Sequence, residues 1–331
     1  MLEQYDLSDG DVDRVTRLYE RSEIDFRYSA IEDFSLPSQQ WTLLEKGATV
    51  SLEKRMAYFF KIAPELCATA VKECIPDESE WQQLTHLITV SCTGLSAPGL
   101  DIQLIQRLGL PTTIQRSSIN FMGCYAGIHA LKQADSICKA QPDARVLIVD
   151  VELCTLHFQT PFTMDNVAAS LLFADGAAAA LVSNQPGLYA MEDYYSELAL
   201  SGYSDMSWQL SSEGFLMTLS GYVPGIIAAN IEPMLQHSLK QMSLRREDIQ
   251  HWAIHPGGKK IVHEIAKALQ LTEEDTAISR AVLRNYGNMS SVTIFYVLKQ
   301  LRATIQHAGE HIYGVAFGPG LTIESLFLRS W

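Results

Sequence analysis

The chain has 331 residues, 47% of them hydrophobic and 19% charged, and a formal net charge of −13. This is more apolar material than one core usually holds, so we expect two structural halves, residues 1–184 and residues 185–331. The acidic balance excludes nucleic acid as a general partner, because phosphate binding needs a basic surface. No apolar run reaches the roughly 18 residues of a membrane span. The acidic start Met1–Asp6 lacks the pattern of a signal peptide, so we expect a cytoplasmic protein.

The first half alternates helical and strand patterns. Helical spacing predicts a helix over 9–22, capped by Ser8 or Asp9, and a second over 51–72 that breaks or kinks near Pro64. Further helices are predicted over 100–108 and 126–140. Short apolar runs predict strands over 86–91, 113–116, 145–151 and 177–183.

The second half repeats this kind of alternation. We predict a helix over 226–242, a strand over 251–255, and a helix from the following glycines to residue 269. A long apolar helix is predicted over 290–308, and two strands within 313–328. Strands that alternate with helices are typical of an α/β fold with mainly parallel sheets.

All six cysteines lie in the first half, and none form a CxxC pair. This spacing argues against a structural zinc site and is typical of reduced, mostly buried thiols. We therefore predict no metal centre.

Three polar side chains stand at predicted turns that precede helices, namely Cys124, His255 and Asn288. A thiol at a helix N-terminus meets the positive end of the helix dipole, which lowers its pKa and favours the nucleophilic thiolate. Each residue also has a structural interpretation. Cys124 can be a small buried side chain at a tight turn, His255 a hydrogen-bonded core histidine, and Asn288 a helix N-cap.

Together the three side chains favour catalysis over those interpretations. An imidazolium near Cys124 would stabilise its thiolate. The Asn288 amide and an imidazole N–H can both donate to a thioester oxygen as it becomes an oxyanion. Decarboxylating Claisen condensation needs this combination, an acyl group on a cysteine and an enolate held by two donors.

Four motifs, in this order along the chain, resemble the chalcone and stilbene synthase family of type III polyketide synthases. The resemblance runs from about Arg14 to Arg329. The motifs are Gly123-Cys124-Tyr125-Ala126-Gly127, His255-Pro256-Gly257-Gly258, Tyr286-Gly287-Asn288-Met289-Ser290-Ser291 and Phe317-Gly318-Pro319-Gly320-Leu321-Thr322-Ile323-Glu324.

The resemblance implies a thiolase-like five-layer αβαβα fold with two similar halves. The first half would carry the nucleophilic cysteine, and the second the histidine and the asparagine. It also implies a homodimer that uses acyl-CoA and malonyl-CoA as substrates, without a metal or another cofactor. Cys124 would hold the starter and the growing chain, and His255 would form an ion pair with it. His255 and Asn288 would stabilise the malonyl-derived enolate.

Matching positions imply further site residues. Phe173 corresponds to the family's gatekeeper phenylalanine, and Met217 replaces a second one. Arg14, Arg17 and Arg21 share one helical face, which is usually a solvated face, but they match the positions that hold CoA phosphates.

The pocket positions resemble bacterial alkylpyrone and alkylresorcinol synthases, which favours a fatty acyl-CoA starter and cyclisation to a pyrone or resorcinol. His157 and Cys154 are interpreted as pocket lining rather than catalytic residues. The residues expected to line the pocket, besides the two gatekeeper positions, are Cys92, Thr93, Ala97, Cys154, Leu156, His157 and Ser290.

One feature departs from the family. Members begin with an apolar strand ahead of the helix that here starts near Asp9, and this chain lacks that strand. We therefore expect a start codon upstream or a poorly folding polypeptide.

Two alternative functions stay open. One is a β-ketoacyl-carrier-protein synthase III with a single condensation, and the other is a truncated, inactive homologue that serves only as a dimer partner.

Overall fold

The structure, a computed structural model, describes residues 7–45 and 48–331. Met1–Asp6, whose acidic sequence argued against a signal peptide, lies outside those residues. Within the described ranges, no helix is long and apolar enough to cross a membrane.

The helices begin where the sequence offers a cap and an apolar face. Ser8 caps the first, since its hydroxyl accepts from the Asp11 N–H while the Asp11 carboxylate accepts from the Ser8 N–H. The helices are α1 (Asp9–Glu20), α2 (Leu52–Cys74), α3 (Leu100–Leu108), α4 (Ala126–Ala140), α5 (Met164–Leu172), α6 (Val223–Met242), α7 (Lys259–Ala268), α8 (Glu273–Tyr286) and α9 (Thr293–Arg302).

Within residues 7–45 and 48–331, the strands form two sheets and one hairpin. They are β1 (His86–Ser91), β2 (Gln115–Asn120), β3 (Arg145–Leu153), β4 (Asp175–Ser183), β5 (Tyr189–Leu198), β6 (Met206–Ser211), β7 (Gly214–Leu219), β8 (Ile249–Ile254), β9 (His311–Gly318) and β10 (Thr322–Ser330). The first sheet has the order β2-β1-β3-β4 and the second β5-β10-β9-β8, while β6 and β7 form the hairpin.

Alternate residues of the strands enter different apolar layers. Leu147 and Val149 of β3 pack with α2 and α3, whereas Val146 and Ile148 pack with α4 and α9. The second sheet lies on the other side of α4 and α9, and its far face packs with α6 and α7. The layers therefore follow the αβαβα order that the resemblance implied.

Two predicted helices differ in detail. Residues 290–308 do not form one long helix, because Ser290–Val292 is a separate 3-10 turn and α9 ends at Arg302. α2 continues through Pro64 without a break, since Pro64 is buried in a helix that packs along β3 and β4. β5, the hairpin, α5 and α8 were not predicted from the sequence, although α8 carries a capping box at Thr272 and Asp275.

Candidate active site

One cavity brings together the three residues singled out for chemistry. Its volume is about 650 Å³, part of it open to solvent, and Cys124, His255 and Asn288 all line it. His255 and Asn288 are each 1% exposed, whereas Cys124 is half-buried. Three turns that are far apart in the chain thus form one site.

Cys124 lies in the turn that joins β2 to α4. Gly123 has a φ of +88°, and a Cβ at that position would lie 2.3 Å from Cδ of Pro319. Phe121 has a φ of +59°, which is uncommon for a residue with a side chain. This tight backbone presents the thiol at the N-terminal end of α4 and requires glycine directly before it.

Burial raises the pKa of the Cys124 thiol to about 12. Hydrogen bonds from the side chains of Ser290 and Asn288 oppose that rise, while the charges of Glu152 and Asp150 add to it. The net shift of this pKa is thus upward, opposite to the direction expected from the helix dipole alone. Removing the thiolate from water outweighs the favourable contacts that the turn provides.

Asn288 is held by its backbone and by its amide oxygen. Its N–H donates to the Leu172 carbonyl at 3.0 Å, and its carbonyl accepts from the Ala174 N–H at 2.9 Å. Oδ1 accepts from the Ser290 N–H at 2.8 Å, a contact like that of a helix N-cap. The side chain also hydrogen-bonds to the Cys124 sulfur. Because Oδ1 is occupied, the amide N–H group faces the nucleophile.

His255 follows directly after β8, and its N–H donates to the Val315 carbonyl at 2.8 Å. Within residues 7–45 and 48–331, neither ring nitrogen has a hydrogen-bond partner. Burial lowers the pKa of the imidazole to about 3, so the ring is neutral and offers one donor and one acceptor. An imidazole without a protein partner beside a cavity is free to bond to a substrate.

The expected ion pair of Cys124 and His255 would have to form in a site where His255 is buried and Cys124 half-buried. Burial disfavours each charge on its own. A thiolate and an imidazolium formed by one proton transfer attract each other, which offsets part of that penalty. The ion pair therefore stays a prediction, because the attraction between the two charges opposes the cost of burying them.

A buried acid pair lies beside the nucleophile, in a strand that the sequence analysis treated as apolar. Asp150 and Glu152 of β3 are fully buried. The Ser291 hydroxyl lies 2.9 Å from Oδ1 of Asp150 and 2.7 Å from Oε1 of Glu152. Burial raises the pKa of both carboxyl groups, and the charge of Glu152 raises that of Asp150 further. Two acids inside an apolar run could have indicated a buried polar site from the sequence, because buried carboxylates require polar partners.

Glu152 connects this pair to the cavity lining. Its Oε2 accepts from the Cys92 N–H at 3.0 Å and from the Thr93 hydroxyl at 2.8 Å. The second carboxyl oxygen of Asp150 is buried and has no hydrogen-bond partner among residues 7–45 and 48–331. The network fixes the backbone that lines one side of the site.

A second cavity of about 1050 Å³ adjoins the first. Cys154, Phe173, Trp208 and Met217 line both cavities, so they form the wall between them. The indole Nε1 of Trp208 donates to the Cys92 carbonyl at 2.8 Å, which holds the ring at this wall. Trp208 lies on β6 of the hairpin and was not predicted as a site residue.

The remaining pocket predictions fall in different places. Cys92, Thr93 and Ser290 line the first cavity. His157 lines only the second, where its Nε2 lies 2.8 Å from the Thr93 carbonyl and its Nδ1 accepts from the Phe215 N–H at 3.2 Å. Burial lowers the pKa of His157 to about 3, so this residue is a neutral structural bridge.

Leu156 and Ala97 line neither cavity. Leu156 is 0% exposed and belongs to the core beneath α2. Ala97 is exposed on the loop that follows β1. Within one described chain, neither side chain shapes the pocket, because one points into the core and the other lies at the surface.

Arg14, Arg17 and Arg21 are exposed on α1 or directly after it. None of them lines either cavity. α1 packs through Val15 on α5, and Phe173 of the cavity wall follows α5 directly. The arginines thus lie on the outer layer above that wall.

Comparison with known proteins matches both halves of the chain. Residues 8–186 match Chalcone and stilbene synthases, N-terminal domain, and residues 197–331 match Chalcone and stilbene synthases, C-terminal domain. The two matched regions contain Cys124 and Phe173 in the first case, and His255 and Asn288 in the second.

Individual relatives agree with this match. The Alpha-pyrone synthesis polyketide synthase-like Pks18 of Mycobacterium tuberculosis is 30% identical over 330 residues, which cover 97% of this chain and 83% of that protein. Probable polyketide synthase 1 of Dictyostelium discoideum is 30% identical over 333 residues, and the chain spans only 10% of its length. A similar solved structure is the C-terminal type III polyketide synthase domain of Steely1, a type I/III hybrid from Dictyostelium. Its alignment with this chain has a TM-score of 0.90 at 29% identity, and it covers 99% of this chain and 92% of that domain.

Proposed function

We propose a substrate and a product for this chain, which belongs to the chalcone and stilbene synthase family and is a type III polyketide synthase. It extends a fatty acyl-CoA starter with malonyl-CoA units on Cys124 and cyclises the product to a pyrone or resorcinol. The family makes it an acyl-transferring, condensing enzyme. The observation that carries the fatty starter is the second cavity behind Phe173 and Met217. Pks18, a relative, is named for alpha-pyrone synthesis.

Loading begins when His255 takes the Cys124 proton. The thiolate attacks the thioester carbon of the acyl-CoA, a new C–S bond forms, and the bond to the CoA sulfur breaks. The leaving CoA thiolate takes the proton back from His255. The neutral resting imidazole supports this role, because only an unprotonated ring nitrogen accepts a proton.

Extension uses the same donors on malonyl-CoA. The bond to the carboxylate breaks, carbon dioxide leaves, and its electron pair forms an enolate whose oxygen accepts from the Asn288 amide and the His255 N–H. The enolate carbon then attacks the acyl carbon on Cys124, and the bond to the cysteine sulfur breaks. The product is a β-ketoacyl-CoA two carbons longer, which can return to Cys124 for another round.

The starter proposal depends on the wall between the cavities. Its four residues are apolar or weakly polar, and none of them carries a formal charge. An acyl tail attached to Cys124 that passes this wall would bury CH₂ groups against the lining of the second cavity, which stabilises it by about 0.8 kcal/mol per buried CH₂.

Activity is expected to rise with starter length. From acetyl to palmitoyl, each added CH₂ should raise kcat/KM about fourfold until the tail meets the end of the second cavity. Cys154→Phe should shorten the preferred starter, because overpacking the wall costs roughly 1–3 kcal/mol, whereas Met217→Ala should not. Mass spectrometry of the products from a panel of acyl-CoAs with malonyl-CoA measures both starter choice and the number of extensions.

That panel also discriminates the alternatives. A preference for an aromatic or the shortest starter would contradict the fatty acyl proposal and leave the family unchanged. Products with one two-carbon extension only would favour the β-ketoacyl synthase III type of reaction, and no product from any starter would favour the inactive homologue.

We propose that the arginines of α1 bind the phosphates of CoA. Arg14→Ala, Arg17→Ala and Arg21→Ala should each raise KM for CoA thioesters severalfold and leave pantetheine thioesters nearly unaffected, because only CoA carries the phosphates. The effect should weaken at high salt, since exposed charges are screened over about 8–10 Å. Arg107→Ala, an exposed arginine on α3, is the matched control. Equal losses on both substrate types would contradict the proposal.

A homodimer, a cytoplasmic location and independence from any cofactor or metal complete the proposal. The dimer is supported by β2, an edge strand whose residues are exposed except for Ile119. An exposed edge strand is a ready surface for pairing with a second copy. Equilibrium sedimentation should therefore give twice the mass of the chain.

A further inference from the structure

The carboxyl groups of Asp150 and Glu152 share one hydroxyl group. Oγ of Ser291 lies 2.9 Å from Oδ1 of Asp150 and 2.7 Å from Oε1 of Glu152. A serine hydroxyl has one hydrogen, so it donates to only one of these oxygens. The other contact, also between two oxygens, requires a hydrogen on the carboxyl group. One acid therefore donates to Ser291, while Ser291 donates to the other acid.

The surroundings of the pair favour a single negative charge. Asp150, Glu152 and Ser291 are all fully buried. Among residues 7–45 and 48–331, no lysine, arginine or histidine forms an ion pair with either carboxyl group. Burial raises the pKa of both groups, and two adjacent anions would also repel each other. A shared proton removes one of the two charges.

Hydrogen bonds decide which acid keeps the proton. Oε2 of Glu152 accepts from the Cys92 N–H at 3.0 Å and from the Thr93 hydroxyl at 2.8 Å. Donors of this kind favour the ionised form of a carboxyl group. Asp150 has only the contact with Ser291, since its second oxygen lacks a partner in the described ranges. Asp150 is therefore the acid that donates, and Glu152 the acid that accepts.

This arrangement connects β3 to the segment that carries the oxyanion donor. Ser290 and Ser291 begin the 3-10 turn that closely follows Asn288. The side chains of Ser290 and Asn288 both hydrogen-bond to the Cys124 sulfur. Ser290 has a φ of +51°, a conformation that surrounding contacts must hold. A contact that fixes Ser291 thus fixes the two residues that touch the nucleophile.

We propose that Asp150 is a positioning residue for the condensation, which keeps a proton at neutral pH, donates it to Ser291 and so holds Ser290 and Asn288 against Cys124. The proposal rests on the proposed roles of Cys124 and Asn288 and does not depend on the starter. Asp150 lines neither cavity, so it acts only through the Ser291 hydroxyl.

Several other titratable groups surround the pair. They are four thiols and one carboxyl group, namely Cys67 on α2, Cys92, Cys124, Cys154 and Asp175. In the part of the chain that the structure describes, none of them hydrogen-bonds to Asp150. The shared proton therefore stays between Asp150, Ser291 and Glu152.

Three variants test the contact, with carbon dioxide release from labelled malonyl-CoA as the measurement. Asp150→Ala should lower kcat for decarboxylation about tenfold or more with little change in KM, because the Asn288 donor loses its fixed position. Asp150→Asn keeps an N–H that can donate to Ser291, so it should restore the rate to within about twofold of the unchanged enzyme. Ser291→Ala should match Asp150→Ala, and the double variant should lose no more than either single variant.

Thermal melting from about pH 6 to about pH 9 tests the proton itself. Burial raises the pKa of Asp150 above its ordinary value, so the folded state keeps a proton that the unfolded state has lost. The stability of the unchanged enzyme should therefore fall as the pH rises through the folded pKa. Asp150→Asn does not titrate, so its Tm relative to the unchanged enzyme should rise with pH.

Asp101→Asn, which breaks the buried ion pair with Arg116, is the matched control. It should lower the Tm and leave decarboxylation near the unchanged rate. The proposal would be overturned by a Tm difference of Asp150→Asn that stays constant with pH, by an Asp150→Asn rate as low as that of Asp150→Ala, or by additive losses in the double variant. If Asp150→Ala does not fold, Ser291→Ala and Asp150→Asn decide.

Parallel measurement of Asn288→Ala separates this proposal from the function it rests on. Normal decarboxylation by Asn288→Ala would contradict the proposed role of Asn288 and overturn the positioning role with it. Slow decarboxylation by Asn288→Ala together with a normal rate in Ser291→Ala would overturn the positioning role alone.

Discussion

Cys124→Ala is expected to form no acyl-enzyme and to reduce polyketide synthesis below detection, because the reaction requires a sulfur that receives and releases the acyl group. Intact-protein mass spectrometry after incubation with a radiolabelled or mass-tagged acyl-CoA measures the adduct directly. Cys154→Ala, which removes another thiol that lines the cavity, should still load the tag. An adduct that persists in Cys124→Ala, or that maps to Cys92 in the unchanged enzyme, would contradict the assignment.

The same residue has an expected pH dependence. With its pKa raised to about 12, the Cys124 thiol holds only a small thiolate fraction near neutral pH. Below that pKa, the thiolate fraction and thus the rate of alkylation by iodoacetamide should rise about tenfold per pH unit. Cys124 should be alkylated first among the three cavity thiols, because hydrogen bonds from the side chains of Ser290 and Asn288 favour its thiolate. A plateau of the rate below pH 8 would show that a stable ion pair exists in the empty site.

Asn288→Ala is expected to slow decarboxylation of malonyl-CoA roughly a hundredfold or more, because loss of one oxyanion donor typically costs about 2.7–4 kcal/mol. Release of carbon dioxide from labelled malonyl-CoA measures this step apart from loading. Acylation of Cys124 should change much less, since it does not require the enolate.

Asn288→Asp separates the catalytic role from that of a helix cap. Aspartate keeps an oxygen that can accept the Ser290 N–H, and it is as good an N-cap as asparagine. It lacks the N–H donor, so decarboxylation should fall as far as in Asn288→Ala. Near-normal decarboxylation by Asn288→Asp would indicate that Asn288 serves as a helix N-cap and not as an oxyanion donor.

Local patterns in the sequence predicted much of the fold. The strand over 86–91 and the helices over 100–108 and 126–140 coincide with β1, α3 and α4. These segments are apolar or regularly amphipathic over their whole length, so the local sequence determines their secondary structure. β5 and the β6–β7 hairpin escaped prediction because they are half-exposed strands, and their register is set by pairing with distant residues.

The site residues could be predicted from the sequence, whereas their environment could not. The sequence by itself identified Cys124, His255 and Asn288, since each stands at a turn beside glycines and within a family motif, and the cavity that joins them is consistent with that prediction. Only the tertiary structure shows how burial acts on these groups. Burial raises the pKa of the Cys124 thiol and lowers that of the His255 imidazole, and burial is a property of the assembled layers and not of any local pattern.

Tertiary structure also decided which side chains form the pocket. Leu156 and Ala97 are close in sequence to cavity residues, yet one points into the core and the other lies at the surface, while Trp208 comes to the cavity wall from an unpredicted hairpin. Side-chain direction and strand neighbours depend on contacts between residues far apart in the chain, which local sequence does not encode.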